Sequence, residues 1–457
     1  MEEFYGSIHC HTDRSNFRLR DCIIRLDELC EYANELGHNF VAVTDHETIN
    51  TALECQKVEQ KIREKNPKFK VIRGNEIYLC RNGLSKENFI KGEDKYFHFI
   101  LLAKDAIGHR QIREISSRAW LRSWKTGKMI RVPTYYQDII DIIEKDKGHV
   151  ICSTACLGGF VGTQLLKYRD SQNEKDYNLT KNWILRMIEI VGKENFFLET
   201  QPSFNSEQIF VNQHIKKLSE ELKIPVVISL DAHYLKKEDF NIHKAFLNSQ
   251  DGDRETESFY ASTYMMSREE IHNYMDESIG KETVSIWMNN TKYIYDMCED
   301  YDLTRDLHIP YLPKTIDIIK EIQFLLYKDK IKELEYFYKS DSKPHRDMAA
   351  AIIKKIMEEP DIYDNEKAYL AIDECLKAIR LASEKQNTPW SAYLLNMRDY
   401  IDIIWNKGNS LVGPSRGSGG GFLLLHMLNI TQINPLREKA PLRAWRFLNP
   451  ERVSPLD

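Results

Sequence analysis

Long apolar runs are missing from the 457-residue sequence. None approaches the ~20 apolar residues that a membrane-spanning helix needs, and Met1-Glu2-Glu3 carries neither the basic nor the apolar region of a signal peptide. Cysteine is sparse too: nine residues with no closely repeated spacing exclude a disulfide framework and read as reduced thiols, so the expected location is cytoplasmic, with no membrane partner. Net positive charge is absent. At −5, attraction of the whole molecule to nucleic acid is excluded, and any such contact has to come from local basic patches. There is no internal repeat and no low-complexity tract. The length exceeds the ~250 to 300 residues that one core serves, so two or more domains are expected.

What is present up to about residue 245 is an alternation of short apolar runs and helical stretches. The runs include Phe40-Val41-Ala42-Val43, Val71-Ile72, Phe97 to Leu102, Val150-Ile151, Phe196-Phe197-Leu198 and Val226-Val227-Ile228. Between the first two, Leu26, Leu29, Cys30, Ala33 and Leu36 recur at helical spacing and Gly37 follows as a stop signal. Repeated strand and helix units predict an α/β fold with a mainly parallel sheet, and polar residues just after the strands favour a barrel. Beyond a charged junction at Asp251 to Glu257 the texture turns mostly helical, notably over 347–407, with Pro310, Pro313 and Pro344 as breakers.

The polar residues at strand ends form one chemical set. His9 and His11 stand two apart and point the same way on an extended strand. Asp45-His46 follows the Phe40 run, Glu76 follows Val71-Ile72, His98 lies within a run, Cys156 follows Val150-Ile151, and Asp231 and His233 follow Val226 to Leu230. Imidazole, carboxylate and thiolate together suit zinc, iron or manganese better than magnesium alone. Each residue has a plainer role open to it: His98 as a core histidine between Phe97 and Phe99, Glu76 as a salt-bridge partner, Cys156 as a small hydrophobe, Asp45 as a helix cap. Those roles leave unexplained why five of the 14 histidines share one position relative to the strands.

His9-x-His11, Thr44-Asp45-His46, Glu76, His98, Cys156 and Asp231-Ala232-His233 resemble the signature of the polymerase and histidinol phosphatase (PHP) domain. The resemblance implies a distorted seven-stranded (β/α) barrel whose nine ligands, here His9, His11, Asp21, His46, Glu76, His98, Cys156, Asp231 and His233, hold two or three divalent ions. Asp21 takes its place by counting back from His46 across a long loop. All nine positions carry metal-competent side chains, which favours an active phosphoesterase, with Asp231 and His11 as catalytic residues, over a relic. Two ions about 3.5 to 4 Å apart can activate a shared water and neutralise a phosphoryl oxygen.

A second constellation lies near the end. In Gly413-Pro414-Ser415-Arg416-Gly417-Ser418 the backbone N–H groups can form a nest for phosphate, with Arg416 and Ser418 adding charge and a hydroxyl; a flexible linker is the alternative. From Leu411 to Asp457 six basic residues face three acidic ones. The run from Gly413 to Asp457, with Asn434-Pro435-Leu436 and Arg446-Phe447-Leu448-Asn449-Pro450-Glu451-Arg452, resembles the palm of the C-family DNA polymerases, the DNA polymerase III alpha subunits. That resemblance implies a triphosphate site at Gly413, Arg416, Gly417, Ser418, Arg446 and Arg452, and Asp457 as the first of a catalytic Asp-x-Asp pair that holds magnesium. Further expectations follow from it: a DNA primer-template and a dNTP as ligands, and a C-terminal polymerase fragment, with a sliding clamp reached through it, as partners. The expected organisation is a PHP barrel over 1–250, a linking region over 251–345 and an incomplete, mostly helical α+β palm region over 346–457, the front portion of a truncated, split or phage-borne polymerase. Two readings stay open: a proofreading exonuclease, and a silent metal-stabilised scaffold that assembles with the C-terminal fragment.

Overall fold

The computed structural model describes residues 3–127, 129–249, 259–437 and 443–452. The chain forms two compact units, Met1–Thr304 and Arg305–Asp457.

Seven strands make the path of the first unit's sheet: β1 (Gly6–Ser7), β2 (Phe40–Val43), β3 (Lys70–Cys80), β4 (Phe97–Ala103), β5 (Val150–Ser153), β6 (Phe196–Thr200) and β7 (Val226–Ile228). They lie side by side in chain order, and Thr134–Tyr135 adds an eighth strand beside β3. Neighbours run parallel except around β4, which is antiparallel to both β3 and β5. The sheet is thus mainly parallel with one reversed strand. Residues 81–96, between β3 and β4, contain no helix to carry a parallel crossover. The ends of the sheet meet just past β1 and β7, where Cys10 bridges Ala232 and the His11 N–H donates to the Ala232 carbonyl at 3.0 Å.

Side-chain alternation builds two apolar layers. Ile8, just past β1, and Phe40, Ala42, Ile72, Ile100, Leu102, Ile151, Phe197 and Val227, one or two from each later strand, fill the barrel. Their sequence neighbours Val41, Val43, Val71, Leu101, Cys152, Leu198 and Val226 face outward to the helices. Helix Leu26–Glu35 buries Leu26, Leu29, Cys30 and Ala33 in that outer layer. It ends as its sequence demands: Gly37 takes φ +74° while its N–H bonds Asn34 and that of His38 bonds Ala33, a closure that glycine permits without strain.

The first unit runs past residue 250, where the sequence put the end of the barrel. Helices Arg268–Ile279, Lys281–Asn289 and Thr291–Met297 follow, and Ile271, Met275, Val284 and Met288 join the outer core. The junction expected at Asp251 to Glu257 lies outside the described residues.

In the second unit, helices Lys343–Glu358, Glu366–Gln386 and Trp390–Asn406 surround a core that includes Phe337, Ile352, Leu376 and Leu395. Pro344 does not break a helix. It occupies the first turn of Lys343–Glu358, where its missing N–H costs nothing.

Candidate metal centre

The ligand candidates reach one place because the strands that carry them are parallel neighbours ending on the same side, and reversed β4 brings His98 in at its start. Parity decides which side chains point inward. On β4 His98 is in register with the barrel-filling Ile100 and Leu102, and on β3 Glu76 is in register with Ile72. Near β1 the chain bends at Ile8, so that His9 and His11 straddle the outward-facing Cys10.

Three groups of donor atoms converge: His9, His11 and Asp231; His11, His46 and His233; Glu76, His98 and Cys156. The Nε2 atoms of His9 and His11 face each other at 3.1 Å, and Asp231 Oδ1 lies 3.2 Å from the first and 3.1 Å from the second. Glu76 spans the groups, with Oε1 2.7 Å from His98 Nδ1 and 3.4 Å from His9 Nε2, and Oε2 against His46 Nδ1. Cys156 Sγ sits 3.2 Å from His98 Nδ1. Asp21, reached by counting alone, has Oδ2 2.7 Å from His46 Nε2 and 3.9 Å from His233 Nε2. All nine side chains predicted as ligands therefore stand in one cluster, all buried except His98, which is about a quarter exposed.

Some of these contacts are hydrogen bonds, such as His11 with Asp231, and others are not. Asp21 Oδ1, both Glu76 oxygens and His46 Nε2 are buried without a hydrogen-bond partner, although other donors and acceptors stand close by. Lone pairs aimed at a common point and left unpaired are what a cation satisfies and a hydrogen-bond network does not. The residues fit a divalent-metal site.

Charge is arranged accordingly. Burial opposes ionisation throughout, yet Asp231, Glu199 and Glu76 hold His9 well above the usual imidazole range. Asp21 and Glu76 likewise outweigh burial and push His46 up to about 10. His98, His46 and His9 hold Glu76 well below the carboxylate range against its burial, and His9 and His11 do the same for Asp231. Burial, reinforced by His11, takes His233 down to about 4. Burial, with Asp231 and Glu76, raises the Cys156 thiol. Without metal the cluster thus retains protons, and ions entering it displace them.

Backbone conformation is spent here as well. Asp231 adopts φ +46°, and Glu47 and Ala155, each beside a ligand, adopt +55° and +58°. Gly158 is needed for its size: a Cβ there would stand 3.0 Å from three atoms of the His98 ring.

Supporting groups were only partly legible. Asp45 does not cap the helix after His46; it gathers the Thr12 N–H (2.7 Å) and the Ser15 hydroxyl (2.9 Å), which fixes the loop after His11. Glu199 was missed. Its Oε1 takes the His9 Nδ1–H at 2.8 Å and the Ser229 hydroxyl at 2.5 Å, and its Oε2 takes the Ser153 hydroxyl. The available signal was one acid directly after the apolar run Phe196-Phe197-Leu198. Tyr78, whose hydroxyl meets His46 Nδ1 at 3.0 Å, was missed also.

In the second unit, Gly417–Gly421 forms a 3-10 turn with Gly417 at φ +58°, followed by the short apolar helix Leu423–Met427. The Phe422 and Phe447 rings pack 4.9 Å apart and join the loop to the segment carrying Arg446. Gly413, Arg416, Gly417, Arg446 and Arg452 are exposed and Ser418 is half-buried. Asp457 lies outside the described residues. A cavity of about 640 Å³ beside the turn is lined by Gly421, Leu423, Pro435, Lys377 and Arg443, the last singled out beforehand only as part of a basic excess.

A barrel with this ligand set defines a PHP-type fold, and the family model of the PHP domain matches residues 7–203. A second model, described as the bacterial DNA polymerase III alpha NTPase domain, matches residues 365–457, so the chain carries both domains in that order. Over 97% of its length it is 36% identical to the probable DNA polymerase YorL of Bacillus subtilis (strain 168), and equally to a DNA-directed DNA polymerase of Bacillus phage SPbeta. Over 99% it is 26% identical to DNA polymerase III subunit alpha of Aquifex aeolicus (strain VF5). The chain spans 35% of the first two relatives and 36% of the third. Its homologues are bacterial and phage DNA polymerases that extend well beyond the matched region.

Proposed function

We propose that the first unit is a metal-dependent phosphodiesterase that removes nucleotides from a DNA 3′ end. The second unit, in this reading, is the beginning of a polymerase palm that binds the dNTP triphosphate and acts together with the rest of a replicative DNA polymerase. The observation that carries the first part is the convergence of nine metal-competent side chains, with Asp21 Oδ1, both Glu76 oxygens and His46 Nε2 left without hydrogen-bond partners. Two or three divalent ions, zinc, manganese or iron by the donor set, supply Lewis-acid charge and a water of lowered pKa when bound there. The chain's own residues do the positioning. Asp231 Oδ1, within 3.2 Å of both His9 and His11, is the oxygen around which the ligands gather. Glu199 fixes the His9 tautomer so that Nε2 faces the centre. Asp231 and His11 are the catalytic residues of this reading. In the palm, Gly413, Arg416, Gly417, Ser418, Arg446 and Arg452 take the triphosphate and Asp457 takes magnesium. Primer-template DNA is the second ligand, a C-terminal polymerase fragment and through it a sliding clamp are the partners, and the compartment is the cytoplasm. In keeping with this, no helix among the described residues is long and apolar enough to cross a membrane.

The test uses the full chain loaded with manganese and a single-stranded oligonucleotide labelled at its 5′ end. Stepwise shortening from the 3′ end is expected, and Asp231→Ala or His9→Ala abolishes it. Protein of verified full metal content that releases no nucleotide refutes the reading. A second reading, a silent scaffold stapled by metal, draws on the barrel's closure at Cys10 and Ala232, which is flanked on both strands by ligands. A chelator would then lower the melting temperature with no activity to lose.

A further inference from the structure

The mouth of the metal centre opens into a cavity of about 330 Å³ whose walls include the ligand candidates Asp21, His46, Glu76 and His98 together with the cations Arg18, Lys95 and Arg131. Arg18 is 5% exposed, and its guanidinium carbon stands over the Tyr78 ring, 3.7 Å from the centroid. Among the described residues it has no ion pair. Nε has no hydrogen-bond partner and Nη2 meets only the Met129 thioether at 3.9 Å. Arg131 repeats the pattern: its Nε is buried and unpartnered, and its guanidinium stands 5.1 Å from the centroids of both Phe89 and Tyr96.

A guanidinium removed from water without a carboxylate is costly, and two lining the same cavity repel each other. Burial, with a contribution from Arg18, lowers the pKa of Arg131. Of the neighbouring acids, Asp94, also on the wall, pairs with Arg81 at 2.6 Å. Glu47 feels the Arg18 charge without pairing with it, and its oxygens are already taken by the Tyr78 N–H and the Thr134 hydroxyl. The two arginines are nonetheless held in position, because the Ile130 N–H donates to the Arg18 carbonyl at 3.2 Å and Arg131 pairs with Trp124 across a hairpin. No carboxylate among the described residues makes an ion pair with Arg18, which leaves guanidinium donors at the cavity wall for an exogenous anion. The planar donors of arginine match phosphoryl oxygens two at a time.

We propose that Arg18 and Arg131 form a prebuilt anion clamp that takes the nonbridging oxygens of a phosphate ester at the mouth of the metal centre. It deepens the phosphodiesterase reading and rests on it for the identity of the anion. Neither arginine is a metal-ligand candidate, so the clamp governs substrate affinity more than turnover.

The experiment measures binding of inorganic phosphate and of the thymidine dinucleotide TpT, which carries a diester and no monoester, to the manganese-loaded full chain by calorimetry, with metal content and melting temperature read on every variant. Arg18→Gln and Arg131→Gln each weaken binding roughly tenfold or more, the scale of one lost charged hydrogen bond, and Arg18→Lys restores part of it. Where nucleotide release is measurable, KM rises more than kcat falls. Arg131 lies on a peripheral hairpin, so its variant carries the test even if Arg18→Gln fails to fold. Tighter binding of the dinucleotide supports a diester substrate, and phosphate binding alone supports a monoester. Unchanged phosphate affinity in the Arg18→Gln, Arg131→Gln double variant at full metal content overturns the proposal. A wild-type chain that binds both probes through these arginines yet cuts no DNA sinks the exonuclease reading and leaves the clamp standing.

Discussion

Glu199→Gln tests whether groups behind the ligands set the strength of the metal centre. Glu199 is fully buried and accepts from His9 Nδ1, Ser229 and Ser153, so the substitution preserves shape and removes one negative charge. The loss is that of a charge-assisted hydrogen bond, about 1.5 to 3 kcal/mol. Converted at 1.4 kcal/mol per decade, this is about 10- to 100-fold in affinity, the range found when partners behind metal-bound histidines are removed. His9 becomes less basic without Glu199, which weakens proton competition and pulls the other way, so the lower end, about tenfold, is expected at pH 7. Competition against a chromophoric chelator measures it, with melting of the metal-free protein as the folding control. Unchanged affinity in a folded variant refutes the claim that Glu199 orients His9 for metal.

Gly158→Ala drives a Cβ against the His98 ring and separates it from Glu76 and Cys156. Metal analysis of the purified variant should show about one ion fewer per chain than the wild type, with the remaining ions retained. His38 is a proton-linked site away from the ligands: burial takes it down to about 4, and its Nε2–H donates to the Met266 carbonyl at 3.0 Å. Because the unfolded chain binds this proton more readily, its contribution is complete above about pH 6.5 and is lost as pH falls toward 4. Denaturant titrations over that window should show a shallower slope in His38→Gln; an identical slope removes His38 from the account. In the second unit, Phe337→Ala empties a fully buried site and should cost about 3 to 5 kcal/mol, read as a lower denaturation midpoint.

Most of the ligands were legible because they stand at or beside an apolar run, where the chemistry of one residue separates it from its neighbours. His46 and His233 needed nothing more. Asp21 did, since no local pattern marks it; its position became readable only through resemblance, and its contact with His46 depends on how a long loop closes. Glu199, Tyr78, Arg18 and Arg131 escaped because their roles come from partners far away in sequence, such as the 190 residues separating Glu199 from His9. The reversal of β4 was likewise hidden, since Phe97 to Leu102 reads equally well in either direction. The reach of the first unit beyond residue 250 was missed for a related reason. Helices at 268–297 look alike whether they cover a barrel or link two domains.

The junction of Cys10 with Ala232 also sets a timetable. His11 and Asp231 are 220 residues apart in sequence, so no earlier portion of the nascent chain contains the cluster in usable form. At about 5 to 20 residues per second, the ribosome takes roughly 10 to 45 s between releasing the first histidines and the last. During that interval His9 and His11 are without the partners, Asp231 and His233, that complete their groups in the folded barrel. The full set of ligand candidates therefore comes together only when the last strand docks beside the first.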